Sequence, residues 1–445
     1  MKTRFTRRQF LKVTAVSAGA IGFPSIIPSS ALGQNGTVSP SERIVMGWIG
    51  TGGQGRGLLS RFMGEKDVQV VAICDVDKKH GALATSLVNK KYGNEDCIAC
   101  QDFRELLARK DIDAVTIATP DHWHALASIA AAKAGKDIYC EKPLVNSIGE
   151  GRAVCNAVKA NNRVLQTGSH ERSGDNARFA CELLRNGRIG QLRTVRINLP
   201  CTDGHHKRVR AMTELPPPQE MPEGFDYDFW LGHTPKVPYY KERCHFSWRF
   251  ILAHGGGEMT DRGAHVIDLG QLGAGVDDTG PVEIEATGVQ NKGGLYDAFW
   301  DYKFVNTWAG GLKLIGSTAE PRGVKFEGDE GWIFIHVHGA RLEASNPSWL
   351  EDLKVWKEKG VTSHKIQLGR SPGHHRNFLD SVKSRKQPVA HAEVGHRTAS
   401  VCHLNNIAMK LGRKLKWDPK AEKFIGDDEA NGLVTPKMRN PWTLG

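Results

Sequence analysis

A chain of 445 residues with 40% hydrophobic and 24% charged side chains holds enough apolar material for large cores and the length of two domains. Its net charge of +11 is scattered, with no Lys/Arg strip and no interleaved aromatics, which argues against a nucleic-acid partner. Behind the N-terminus no apolar run is long enough to span a bilayer, which argues against stable membrane insertion of the mature chain.

The first 33 residues carry Lys2, Arg4, Arg7, Arg8 and Lys12 and no acid. Thr6-Arg7-Arg8-Gln9-Phe10-Leu11-Lys12 precedes a weakly apolar stretch, Val13 to Ile27, and then Ala31-Leu32-Gly33, an A-x-A-like cleavage site. Residues 1–33 thus resemble a twin-arginine signal, which implies export through the twin-arginine machinery to the periplasm or beyond. Gly19, Gly22 and Pro24 interrupt the stretch and speak against a permanent anchor. Nine dispersed cysteines make no disulfide framework, as suits a chain that folds in a reducing compartment before export. Cys97-x-x-Cys100 lacks a second pair at zinc-site spacing, so no metal is expected.

From Arg43 the pattern is strand, turn, helix: Arg43 to Ile49 is β-branched and apolar, a glycine-rich turn follows, and Arg56 to Met63 has helical spacing. Strands are predicted at Val68 to Cys74, Ala114 to Ala118, Ile138 to Cys140 and Val164 to Gly168, and helices at His122 to Lys133 and Ile148 to Ala160. This alternation predicts an α/β Rossmann domain over 41–168, a doubly wound parallel sheet with helices on both faces. After residue 170 strands at 192–199, 282–290, 298–308, 312–316 and 331–338 predict an α+β domain over 169–420 with a large, open, mostly antiparallel sheet. Pro216-Pro217-Pro218 and the aromatic run Phe225 to Trp230 mark an irregular excursion from 201 to 250. His374 to Lys383 and Val394 to Leu411 are helical, and 421–445 is read as a C-terminal extension.

Gly50-Thr51-Gly52-Gly53-Gln54-Gly55 has the spacing of a dinucleotide turn. The first glycine permits the tight turn, the second lets backbone approach a pyrophosphate, and the third lets helix pack on strand, with the helix N-terminus facing the phosphates. Asp75 closes the next strand, where an acid accepts from the ribose hydroxyls and repels a 2′-phosphate, so NAD is expected and NADP less so, Lys78-Lys79 being the contrary charge.

Ala118-Thr119-Pro120-Asp121-His122-Trp123-His124 and Tyr139-Cys140-Glu141-Lys142-Pro143-Leu144 resemble the glucose-fructose oxidoreductase/inositol dehydrogenase/MocA family, in an exported bacterial branch. Thr167 to Ser173, Trp230-Leu231-Gly232, Gly257 to His265 and Lys416 to Pro419 extend the resemblance over nearly everything behind the signal. It implies a cis Lys142-Pro143 bond that aims Lys142 at a substrate hydroxyl, and a substrate-facing Asp261/His265 pair with His265 as general base. The i,i+4 spacing of that pair on a helix would let Asp261 orient the ring. Gly50, Gly52, Gln54, Gly55, Asp75, Thr119, Pro120, His124 and Glu141 are read as cofactor contacts, and Trp123, His170, Arg172, Arg249 and Arg262 as substrate contacts. The His205-His206-Lys207-Arg208 cluster reads as a solvated loop. The branch often carries an aromatic residue where Arg262 stands, so Arg262 is expected to favour an acidic or highly hydroxylated sugar.

The chemistry implied is NAD-dependent oxidation of a secondary hydroxyl on a sugar or polyol: His265 takes the hydroxyl proton, Lys142 stabilises the oxyanion and Asp261 holds His265. Free NAD is scarce outside the cytoplasm, so the cofactor is expected to be tightly held and recycled. Two closed schemes remain open: oxidation of one sugar with reduction of another, or glycoside cleavage through a transient 3-ketone, elimination, hydration and re-reduction. A non-catalytic NAD/sugar sensor is the alternative from another class. The resemblance further implies a homodimer or homotetramer packed through the open sheet.

Overall fold

The computed structural model describes residues 38–339, 341–359 and 364–445. The expected signal, 1–33, lies outside the described residues. By contacts the chain divides into Met1–Arg43 and Ile44–Gly445. The described part of the first is a short 3-10 turn at Pro40–Glu42, and everything below concerns the second.

Six parallel strands form the first sheet: β1 (Ile44–Ile49), β2 (Val68–Cys74), β3 (Ile98–Cys100), β4 (Ala114–Ile117), β5 (Asp137–Cys140) and β6 (Leu165–Thr167). Their order is β3-β2-β1-β4-β5-β6, so the chain reverses direction across the sheet between β1 and β4. In doubly wound folds ligands bind outside the carboxyl ends of the strands at that reversal. Helices Gly53–Phe62, Asp121–Lys133 and Ile148–Ala160 follow β1, β4 and β5. On one side of the sheet Phe62 meets Trp48, Tyr139 and Phe378 edge-on, with centroids 5.3–6.2 Å apart. Phe378 comes from the helix His374–Ser384 near the end of the chain.

The second sheet has nine strands: β7 (Leu192–Asn198), β8 (Glu283–Gln290), β9 (Phe299–Thr307), β10 (Lys313–Ser317), β11 (Gly323–Gly328), β12 (Gly331–His336), β13 (Leu342–Ala344), β14 (Leu415–Asp418) and β15 (Lys423–Phe424), in the order β13-β12-β11-β7-β10-β9-β8-β14-β15. All pairs are antiparallel except β7 with β10. Period-two alternation drives Val195, Ile197, Ile284, Ala286, Trp300, Tyr302, Phe304, Val324 and Phe326 into the core. The opposite face carries ion pairs such as Arg193–Asp329 and Arg196–Glu327. The helix Gly263–Ala274 packs closely on the buried face, because Gly270 and Gly273 present no Cβ. A Cβ on Gly273 would lie 2.5 Å from Phe326.

β15 forms the edge strand of the nine-stranded sheet, and Trp442 packs against Trp123 and Phe229, which both line the cleft. Helix Ala392–Leu411 is buried along nearly its whole length; its residues join both the core around the second sheet and the core of the first.

Candidate active site

The glycine turn lies at the chain reversal. Gly50 has φ +86°, and a Cβ there would come within 2.7 Å of the Ala118 and Thr119 backbone. A Cβ on Gly55 would lie 2.2 Å from the Gly50 carbonyl oxygen. At Gly52 and Gly53, by contrast, it would meet nothing within 4 Å, which leaves room for a phosphate group beside the N-terminus of helix Gly53–Phe62. Asp75 braces this turn: one carboxylate oxygen accepts from Thr51 N at 2.7 Å and Thr51 Oγ1 at 2.8 Å, the other from Asp77 N at 2.9 Å. Three of its acceptor positions are therefore used inside the chain, a bracing role that the motif spacing does not reveal.

A cleft of about 540 Å3 runs from this turn to the second domain. Every residue read from the sequence as a catalytic, cofactor or substrate contact lines it except Arg172. Arg172 is 3% exposed and donates to Asp268 at 2.7 Å and Asp277 at 2.8 Å, so its charge serves an internal ion-pair network and the substrate role expected for it is corrected. Trp123 touches the cleft but is 4% exposed, stacked on Phe229 at 5.2 Å and met edge-on by Trp442 and Phe103. With its ring so covered, Trp123 is a wall residue and offers no free face to a sugar. His124 is buried, with ring nitrogens 2.7 Å from the Pro143 carbonyl and 3.0 Å from the Thr119 carbonyl, and ties the Thr119-Pro120 turn to the segment after β5.

At the centre stands Lys142, on a cis Lys142-Pro143 bond directly beyond β5. Its Nζ donates to Asp261 Oδ1 and to the Asp261 carbonyl, both at 2.7 Å. Gln54 Nε2 donates to Glu141 at 3.0 Å, which links the glycine turn to the same segment. Arg249 reaches Asp261 Oδ1 at 3.5 Å and stacks over Trp248 at 4.4 Å. Burial alone would raise the Asp261 carboxyl, but Lys142 and Arg249 outweigh it and hold the group well below the usual carboxylate range.

The Asp261/His265 pair departs from expectation. Two helices, Glu258–Asp261 and Gly263–Ala274, meet at Arg262 in place of one continuous helix. The Asp261 carbonyl, which would accept from His265 N in a continued helix, is taken by Lys142, and His265 N bonds Arg262 O at 3.0 Å instead. Asp261 therefore orients Lys142, and His265 Nδ1 has no hydrogen-bond partner. Burial first, then the neighbouring Lys142, His170 and His338, push the His265 ring well below its ordinary value, so it is neutral.

Arg262 donates to Glu258 at 3.1 Å and pairs with Asp203 at 2.6 Å, so its charge is matched by two carboxylates and adds no free cation to the cleft. His206, on the helix Gly204–Arg210, is fully buried with its ring 3.0 Å from Glu258, whereas Lys207 and Arg208 beside it are exposed, as expected of a solvated segment. Sequence reasoning missed Asp77, His338 and Asp121, which also line the cleft. Asp121 sits inside a quoted motif and is 4% exposed. Burial lifts its carboxyl well above the ordinary value against the opposing pull of Lys142 and Arg249.

Two family models match: an oxidoreductase family NAD-binding Rossmann fold over residues 44–169 and the oxidoreductase family C-terminal alpha/beta domain over 182–444. The chain belongs to the glucose-fructose oxidoreductase/inositol dehydrogenase/MocA family. A glycosyl hydrolase family 109 protein of Solibacter usitatus is 28% identical over 192 residues, 42% of this chain and 44% of the relative. A levoglucosan dehydrogenase of Pseudarthrobacter phenanthrenivorans is 37% identical over 107 residues, 24% of this chain and 27% of the relative. The chain thus spans less than half the length of these curated relatives. Among solved structures, the WlbA dehydrogenase of Bordetella pertussis in complex with NADH and UDP-GlcNAcA aligns with TM-score 0.62 at 15% identity, covering 85% of this chain and 98% of that one. An aldose-aldose oxidoreductase of Caulobacter crescentus aligns with TM-score 0.58 at 18% identity over 84% and 99%. At these identities the likeness is one of fold, and the fold is that of NAD-binding oxidoreductases of this family.

Proposed function

We propose that the protein is an NAD-dependent oxidoreductase acting on a secondary hydroxyl of a sugar or sugar derivative. The observation that carries this reading is the Lys142 ammonium, held at 2.7 Å by Asp261 in one cleft with the glycine turn and His265. The residues fit the cofactor: open space at Gly52 and Gly53, a helix N-terminus beside them, and acids at the end of β2. Bound NAD supplies a hydride acceptor at its nicotinamide ring. Lys142 donates to the hydroxyl oxygen and stabilises the charge that develops there as the proton leaves. His265, neutral and unpartnered at Nδ1, accepts that proton. Asp261 fixes Lys142 and so acts as a positioning residue.

Export through the twin-arginine pathway, read from Arg7-Arg8, supports a cofactor that leaves the cytoplasm inside the folded protein and is recycled in place. The broad nine-stranded sheet supports assembly of two or four copies through its outer face. A second reading is favoured by the glycosyl hydrolase family 109 relative: a transient 3-ketone acidifies the neighbouring C–H, the aglycone leaves, water adds and the ketone is reduced back.

The test is a sugar and nitrophenyl-glycoside screen on the protein as purified, with no added cofactor. Turnover in the wild type and a loss on the order of 100-fold or more in Lys142→Met, with bound NAD unchanged, is the expected result. Accumulating NADH that depends on added NAD would contradict the closed cycle, and no reaction with any sugar would favour a sensor.

A further inference from the structure

Three histidines from three separate elements converge at the substrate end of the cleft. His170 lies on the 3-10 turn after β6, His265 on the helix Gly263–Ala274, and His338 on the turn after β12. Ring centroids are 4.6 Å apart for His170 and His265, 5.0 Å for His265 and His338, and 5.9 Å for His170 and His338. One ring nitrogen from each lies within 4.8 Å of the other two. We propose that His170, His265 and His338 bind a single divalent transition-metal cation whose open coordination position faces the substrate space.

Three further observations support this. His265 is 3% exposed and its Nδ1 has no hydrogen-bond partner, an arrangement that buried polar atoms rarely keep unless a ligand satisfies them. His338 has φ +63°, a left-handed backbone that is costly for a residue with a Cβ and that clusters at ligand sites. Glu171 stands behind the outer two rings: its Oε1 is 3.6 Å from His170 Nε2, 3.9 Å from His338 Nε2, and accepts from His338 N at 3.2 Å. A carboxylate behind metal-bound histidines fixes ring orientation and raises ligand basicity. Lys142, which faces His265, is neutralised by Asp261 at 2.7 Å.

Three imidazoles with a fourth position open are the ligand set of catalytic zinc and its neighbours, and a poor one for magnesium or calcium, which take oxygen ligands. The sequence gives no such signal, because the three histidines are 95 and 73 residues apart along the chain; no metal was expected there. That the open position takes a substrate hydroxyl or carbonyl oxygen rests on the sugar reading above. Cation and proton compete for the His265 ring, so in the loaded protein the ion would join Lys142 in stabilising the ionised hydroxyl, and the hydroxyl proton would pass to water in place of His265.

The probe is zinc alone, titrated calorimetrically into the chelator-treated, tag-free full chain, with magnesium as the control. One zinc per chain is expected, with affinity down at least 10-fold in His338→Ala and in His170→Ala and lost in the double variant. Glu171→Gln should weaken it by about 10-fold, as removal of an outer-shell partner does. An unchanged NAD-induced thermal shift shows each variant to be folded. Absence of stoichiometric zinc, or equal binding by the double variant, overturns the site. Zinc binding without hydride chemistry on any sugar defeats the sugar reading and leaves the site standing; hydride chemistry without zinc binding does the reverse.

Discussion

Gly52 and Gly55 share one turn and answer to different constraints. Gly55 has no room for a Cβ against the Gly50 carbonyl, whereas Gly52 faces empty space. Gly55→Ala is expected to lower the melting temperature and NAD affinity together. Gly52→Ala should leave the melting temperature within 1 °C or so of wild type, since surface changes away from contacts are nearly neutral, yet weaken NAD binding at least about 10-fold. Thermal melts with and without NAD separate the two. Asp121 gives a pH test. Its folded carboxyl is raised by burial, so its contribution to stability is present below the ordinary carboxylate value of 3.8 and is lost as pH rises through the folded value. Asp121→Asn carries no such loss, and should be more stable than wild type at pH 8, with the gap closing near pH 4. A variant equally stable or weaker at pH 8 would show the group to be usefully ionised. The residues legible in advance were those whose chemistry is local: a glycine spacing, a Glu-Lys-Pro triplet. Arg172 and His338 were not, because whether a cation meets Asp268 or a histidine meets two others depends on segments about 70 to 170 residues away.

At the scale of elements, the helix break at Arg262 shows how a side chain overrides a local pattern. Spacing alone sets Asp261 and His265 on one helical face; Lys142 captures the carbonyl that would close that turn, and the carboxylate turns away from the imidazole. Helices at 122–133 and 148–160 were readable from periodicity, but Gly263–Ala274 hid behind its glycines and Asp175–Arg185 behind Arg178 and Glu182, which are buried. β11 alternates Val324 and Phe326 with Lys325 and Glu327 and could have been found; β3, three residues with Ile98 54% exposed, carries no pattern. Helix Ile148–Ala160 is clamped to helix Ala392–Leu411 by Arg152, which donates to Glu393 at 2.7 and 2.9 Å and to Glu422 at 2.7 and 3.0 Å. Burial opposes ionisation of both acids, but Arg152 at Glu393, and His396 together with Arg152 at Glu422, prevail and lower each to about 2. Their stabilising contribution is complete above the ordinary value of 4.5 and disappears as pH falls towards 2. Arg152→Met should cost about 2 kcal/mol at pH 7, with the difference shrinking below pH 4 in acid-unfolding melts. A deficit independent of pH would point to lost packing alone.

For the whole molecule, two sheets with different connection patterns are joined by one buried helix, Ala392–Leu411, and the residues of the candidate site come from both sides of that junction: Lys142 from the end of β5, Asp261 and His265 from the segment before β8. Residues 434–442 add a strap, with Arg439 donating to the Gly232 carbonyl and Trp442 closing over Trp123. On the proposed function this cleft moves a hydride between a sugar carbon and NAD that stays bound. The direct measurement is mass spectrometry of the nucleotide released by denaturation after the purified protein meets a panel of sugars deuterated at carbon. Deuterium on the bound nucleotide in the wild type, and none in Lys142→Met, is the predicted result. A wild-type protein that holds NAD and gains no deuterium from any sugar of the panel would contradict the account.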